Sequence, residues 1–331
     1  MKKLFGKLSS LSYVQKYIIL SIVVVILGAV PFVITQKYVL NVITLCFMYS
    51  CLALSLNLII GWSGQFSLGH VCFFGMGAYV TAILMRDLNM NFFIAAVIGM
   101  VVTGIFAALL CLPTLKLRGD YVAVVTLGFG EVFRLVLTNS KITNGASGIY
   151  GIGKPEIFGF VIEGKTMFYF FALIILILCI VFMTRLNNSG FGMAMMTVNE
   201  DDIAATAIGL DKKKYKLCAF VIGGAMAAMM GSVYASYLSI IAPQTFNYAE
   251  SINLVSMVVL GGLGSIPGTI IGATVLTALP ELLRSFSDFR MVLYGAAMVA
   301  MMIFKPEGLW GRNKRVRNEY KIKAMRGAKK K

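Results

Sequence analysis

The chain has 331 residues, of which 59% are apolar or aromatic and only 13% are charged. That charged fraction is about half of the ~25% usual in soluble domains, too little to keep so apolar an inventory in water, so the composition excludes a soluble globular protein. The formal charge of +16 lies mostly at the two ends: residues 1–16 carry four lysines and no acid, and residues 305–331 carry eleven basic side chains against Glu307 and Glu319.

These basic segments flank apolar stretches, and the aromatic residues lie in those stretches rather than among the tail lysines. The pattern fits the positive-inside rule and not a nucleic-acid surface, so both tails are expected in the cytoplasm and no nucleic acid is expected as a partner. At ~1.5 Å per residue, a hydrocarbon core ~30 Å thick takes about 20 apolar residues. The first such segment, 17–34, is long for a signal-peptide h-region and no small-x-small site follows, so it reads as a retained span. Further spans are predicted at 38–60, 66–85, 92–112, 120–138, 166–184, 215–240, 251–264, 266–283 and 288–304. Ten crossings return the C-terminus to the side of the N-terminus, in agreement with two basic tails. The expectation is an all-α integral membrane bundle of about ten transmembrane helices over residues 17–304. The eighth and ninth segments, parted by Gly264 and Ser265 alone, are either two full spans or one broken unit buried in protein.

Few side chains along the way carry chemistry. Cysteines 46, 51, 72, 111, 179 and 218 lie in or beside apolar segments without metal-site spacing and read as packing residues. His70, the single histidine, has no acidic neighbour in sequence and reads as a hydrogen-bonding group at a helix end. In the fifth span, Glu131 and Arg134 are spaced to meet on one helical face. An ionised group facing lipid costs on the order of ~3 kcal/mol or more, so both should point into the bundle or a wet cavity. With Thr126 they are candidates for lining a translocation path; a buried structural ion pair is the other reading. Gly159 to Thr166 fits the phosphate-loop pattern GxxxxGK[ST], but an apolar span follows it and no acidic magnesium-binding strand does, so the match is taken as coincidence. No catalytic or metal-binding residue and no cofactor of the chain's own are expected.

The segment between the sixth and seventh spans, 185–214, carries the signals of a short helix. Asn199 is placed to cap it, Glu200, Asp201 and Asp202 sit at its positive end, Gly209 can take a left-handed stop, and Lys212 to Lys214 follow. Ile203, Ala204, Ala207 and Ile208 form its apolar face beside Ala205. So short a helix is unstable alone and must dock on a partner protein or on its own bundle. In the seventh span Gly223, Ala227 and Gly231 recur every four residues beside Gly224 and Ala228, a stripe that lets backbones approach closely. Gly61-Trp-Ser-Gly64 faintly echoes Gly261-Gly-Leu-Gly264, a hint of internal duplication.

Ala204-Ala205-x-x-x-Gly209 between two spans resembles the loop by which ABC importer permeases contact their ATPases. More specifically, the chain resembles the LivM-type permease family of branched-chain amino acid ABC transporters. The resemblance rests on Leu115 to Gly119, Tyr121 to Arg134, Thr143 to Gly148, Asn199 to Gly209, Tyr215 to Leu217, Met257 to Gly264 and Pro306 to Leu309. Where the family often has arginines before the loop, this chain has Met193, Met195 and Met196. The resemblance implies an ABC importer permease fold in a bacterial cytoplasmic membrane and a LivH-like second permease subunit. It also implies two cytoplasmic ATPases that hold ATP and magnesium, and an extracytoplasmic binding protein that delivers a branched-chain amino acid. A permease for urea, an amide or a monosaccharide is the nearest rival. An ion-coupled secondary carrier is a more distant one, since it would need coupling residues at mid-membrane and no docking helix.

Overall fold

The computed structural model describes residues 27–32, 36–117, 119–157, 160–282, 292, 295–296, 298–299, 303 and 308–310. The first and tenth predicted spans lie mostly outside the described residues, as do Arg118, Gly159 and, except for 308–310, the two basic tails.

The helices follow the apolar runs. α1 (Lys37–Asn57) continues through a π-helical turn (Leu58–Trp62), and α2 (His70–Leu88), α3 (Phe92–Thr114), α4 (Asp120–Asn139) and α5 (Lys165–Asn187) come next. After two shorter helices, α6 (Gly190–Glu200) and α7 (Asp202–Ala207), the chain enters α8 (Lys212–Leu238). α9 (Tyr248–Gly261) and α10 (Ile266–Leu282) complete the described helices of more than one turn. Lys37–Trp62, α2, α3, α4, α5 and α8 are long and apolar enough to cross a membrane. Their ends have local causes. Asn89 closes α2 in the left-handed conformation at φ 49°, and the Asn91 side chain caps α3 by accepting from Phe93 N at 3.0 Å.

α8 is the hub, and its small residues explain why. A methyl group added at Gly231 would lie 2.0 Å from the Phe74 carbonyl of α2, one at Gly224 would meet Ala107 of α3 at 2.8 Å, and one at Gly223 would meet Ile59 at 2.8 Å. From the facing side, Gly77 has no room for a side chain because it rests on the backbone of Ala228. Ala227 and Ala228 are fully buried, and Thr81 Oγ1 and Ser232 Oγ share a hydrogen bond of 2.7 Å across the same α2–α8 seam. The stripe is thus covered by α1, α2 and α3 of the same chain.

α9 and α10 fold back on each other through Gly262 and Gly264, whose φ angles of 114° and 77° suit glycine. The crossing is tight: a methyl at Gly272 would lie 2.2 Å from the Met257 carbonyl. The two helices reach different depths. α10 runs antiparallel to α1, from Gly264 beside Asn57, through Thr274 beside Cys46, to Glu281, which accepts from the Tyr38 hydroxyl. α9 begins deeper in the bundle. Its Glu250 lies beside Tyr49, which stands about 18 Å along α1 from Lys37 and about 20 Å from Trp62. Phe246, just before α9, packs edge-on against Phe74 and Tyr79 of α2. The predicted eighth span is therefore a helix starting near mid-depth, and the ninth runs most of the way back.

At the end of the bundle away from α6 and α7, β1 (Ile149–Tyr150) pairs antiparallel with β4 (Ile240–Ile241). A small hairpin of β2 (Glu156–Ile157) and β3 (Phe160–Val161) precedes α5. Strand β3 of this hairpin lies inside the matched segment, where a phosphate loop needs an open turn of backbone amides. Lys154 fastens the segment by donating to the carbonyls of Ser236 at 2.9 Å and Tyr237 at 3.4 Å, at the negative end of α8. Burial lowers the pKa of this lysine, and nearby Glu163 partly opposes that.

Candidate functional site

Two places combine unusual chemistry with open surface. The first is the turn from α6 through α7 into α8. The Ser189 side chain caps α6 by accepting from Gly192 N at 3.1 Å, and α6 runs on through Asn199 and Glu200. Asn199, expected as the cap of the short helix, lies inside α6 instead. The cap is Asp201, in extended conformation, whose Oδ1 accepts from Ile203 N and Ala204 N at 3.0 Å each. Both residues are competent caps, but only Asp201 has the extended backbone that the position needs.

The six residues of α7 end at Gly209, where φ is +86°. Ala205 is fully buried at its base, and Leu210 N donates back to the Ala205 carbonyl at 3.0 Å. Asp202 pairs with Lys212 at 2.9 Å, an exposed bridge that contributes little by itself. The opposite side of α7 is bare: Ile203 is 79% exposed and Ile208 71%, with Ala204 and Ala207 exposed between them. Glu200 is also exposed, beside a polar recess lined by Ser63, Gly64, Asn199, Asp202 and Lys216.

The second place is α4. Arg134 holds Glu131 with Nη2 at 2.8 Å and Nε at 2.9 Å from the same carboxylate oxygen, and each side chain is about one-third exposed. Glu131 also borders a small cavity between α2, α4 and the start of α9, walled by Leu68, Val71, Leu127 and Phe246. α4 is the least covered of the six long helices, with Tyr121, Val124, Val132, Leu135 and Val136 outward and open space at Gly128. Thr126 lies elsewhere. It is fully buried, its Oγ1 accepts from Leu68 N and donates to the Ala123 carbonyl, both at 3.0 Å, and its own carbonyl abuts Gly69. Thr126 thus fastens the turn before α2, whereas Glu131 and Arg134 share the less covered side. His70, in that same turn, is buried with Nε2 2.7 Å from Ser55 Oγ.

Residues 38–304 match the family described as the branched-chain amino acid transport system permease component. The chain belongs to this family. The permease is 35% identical to the high-affinity branched-chain amino acid transport system permease protein LivM of Salmonella typhimurium, over 90% of its own length and 76% of the relative's. It is 29% identical to LivH of the same organism over 38% of its length and 42% of the relative's. It is 28% identical to the autoinducer 2 import system permease protein LsrC of Yersinia pseudotuberculosis, over 63% and 60% respectively. No solved structure matches the chain.

In the permease, the exposed rows of α3 (Val97, Val101, Ile105, Leu109) and α5 (Ile174, Leu178, Phe182) are wholly apolar and suit lipid. α4 mixes such a row with an ion pair part-way along the helix, which lipid disfavours. The functional role of that pair is open to a direct test. Glu131→Gln is expected to cut solute uptake at least tenfold at unchanged membrane abundance if the charge lines the path, since a transport step that loses about 1.4 kcal/mol slows tenfold. A fall in abundance matching the fall in uptake would assign the pair to structure.

Proposed function

We propose that the chain is the LivM-type permease subunit of an ATP-driven importer of branched-chain amino acids in the bacterial cytoplasmic membrane. In this reading the α6–α7 end and both tails, 1–16 and 305–331, face the cytoplasm, and the β1–β4 end faces outward. A LivH-like second permease covers α4, so that Glu131 and Arg134 meet protein and water rather than lipid, and the solute passes along that seam. Two cytoplasmic ATPases hold ATP and magnesium. A solute-binding protein delivers leucine, isoleucine or valine to the outer loops. ATP-driven closure of the ATPases pushes α7 and rocks the bundle between outward and inward states.

The observation that carries the reading is the bare apolar side of α7. Two isoleucines more than 70% exposed, one on a helix of six residues and one at its C-cap, form an apolar face that a partner would cover, while Asp201, Gly209 and buried Ala205 hold that helix in place for one. Family membership supports the nature of that partner. Placing aspartate at both Ile203 and Ile208 leaves the seat of α7 intact and puts charge in the contact. The doubly substituted permease is expected to reach the membrane normally and to lose co-purifying ATPase at least tenfold, as desolvating an unpaired charge costs more than ~1.4 kcal/mol. Retention of the ATPase would sink the assignment. Competition of radiolabelled leucine uptake by isoleucine and valine, with no competition by ribose or urea, tests the solute.

A further inference from the structure

Asn199 does something other than cap a helix. Its Nδ2 donates to the Gly61 carbonyl in the π-helical turn of α1 at 3.2 Å, and its Oδ1 fills the space where a side chain on Gly64 would stand, 2.0 Å from where a methyl carbon there would lie. The last residue of α1 and the last residue of the π-helical turn grip the α9–α10 turn on both sides of one residue. Asn57 Oδ1 accepts from Gly264 N at 2.8 Å, and Trp62 Nε1 donates to the Gly264 carbonyl at 3.2 Å. Gly61 sits between these contacts with no room to spare: a methyl there would lie 2.2 Å from Asn57 Oδ1 and 2.4 Å from Gly264 N. Asn57, Trp62 and Ser63 are all buried, so the stack is dry from Gly61 inward, while Asn199 and Gly64 face the polar recess.

We propose that Asn199 is a positioning residue that transmits displacement of α6 and α7 through the π-helical turn to Gly264 and so to the α9–α10 pair. The inference rests on the reading of α7 as the ATPase-docking helix. Packed interiors transmit strain because they hold no slack, and here backbone stands directly on backbone from Gly61 to Gly264. A π-helical turn is the part of α1 least fixed by its own ladder, and such turns are frequent at functional sites. Asn199 is the one polar hand of α6 on that turn among the hydrogen bonds of the described residues. α9 in turn begins beside the cavity that Glu131 borders. Motion received at Asn199 therefore has a continuous route to the side of the bundle where the solute passes.

The test uses the full importer, with its second permease, ATPases and binding protein, in proteoliposomes with leucine as the solute. Asn199→Asp keeps the shape and the oxygen against Gly64 but turns the donor facing the Gly61 carbonyl into an acceptor. The expected result is about fivefold less leucine moved per ATP hydrolysed, the equivalent of one hydrogen bond, at unchanged ATPase co-purification. Trp62→Phe, which removes the indole N–H that holds Gly264 along with some packing volume, should move the same ratio in the same direction. Thr197→Ala, on the same helix but bonded only to the Met193 carbonyl, should leave it unchanged. A merely structural role would lower yield and leave leucine per ATP at the wild-type value in both variants, and that result overturns the proposal while the docking role of α7 stands. Absence of ATPase from the wild-type preparation overturns both.

Discussion

Arginine in place of Ala205 is expected to abolish uptake by the proposed importer in a permease that still reaches the membrane. Ala205 is fully buried where α7 meets α6 and α8, and its carbonyl accepts from Leu210 N at 3.0 Å. A guanidinium cannot occupy the space of a buried methyl there, and forcing so large a charged group under the helix costs several kcal/mol, more than a six-residue helix can supply. The helix is then expected to leave its seat, while the spans, which fold on their own contacts, stay in place. Gly209→Pro acts on the same element through the backbone, since proline fixes φ near −65° and Gly209 needs +86°. Both variants should show uptake at background, wild-type amounts in the membrane fraction, and ATP hydrolysis no longer stimulated by loaded binding protein. Normal uptake in either variant would remove α7 from the power stroke.

A second large effect is expected in the fold itself. Leucine at Gly231 must displace the backbone of α2, because even a methyl there would fall 2.0 Å from the Phe74 carbonyl and 2.8 Å from Ala78 N. Overpacking costs typically about 1–3 kcal/mol where side chains can yield, and more where the obstacle is main chain. The permease should then fail to elute as a single species in detergent and should unfold well below the wild-type temperature. Gly104→Ala is the contrast, since its methyl meets Val221 at an ordinary 3.6 Å and adds a good helix former. Equal behaviour of the two variants in fluorescence size-exclusion thermostability would refute the hub role of α8.

The spans were legible because a membrane imposes length and apolarity on each of them, and the helices α1 to α5 and α8 fall within a few residues of the predicted segments. Depth was not legible. The residues of α9 are as apolar as a crossing helix, and only the contacts of Glu250 with Tyr49 and of Phe246 with α2 place its start near mid-bundle. The small stripe of α8 announced a close approach, but glycine and alanine carry no mark of which neighbour arrives. α6 went unseen because Gly190 and Gly192 weaken the helical pattern, although Ser189 offered its cap. The shift of the α7 cap from Asn199 to Asp201 has a similar origin, as two good capping residues stand close together and backbone conformation chooses between them. The echo between Gly61–Gly64 and Gly261–Gly264 hinted at duplication. In space the two segments touch, so small residues recur there for contact whatever their ancestry.

The mid-depth start of α9 also bears on its length. Fourteen helical residues span about 21 Å, roughly two-thirds of a hydrocarbon core, and the buried contacts of Asn57 and Trp62 with Gly264 fix the far end of that span. One residue added to or taken from α9 would turn the rest of the helix by about 100° against those contacts, so the count of residues here matters as much as their polarity.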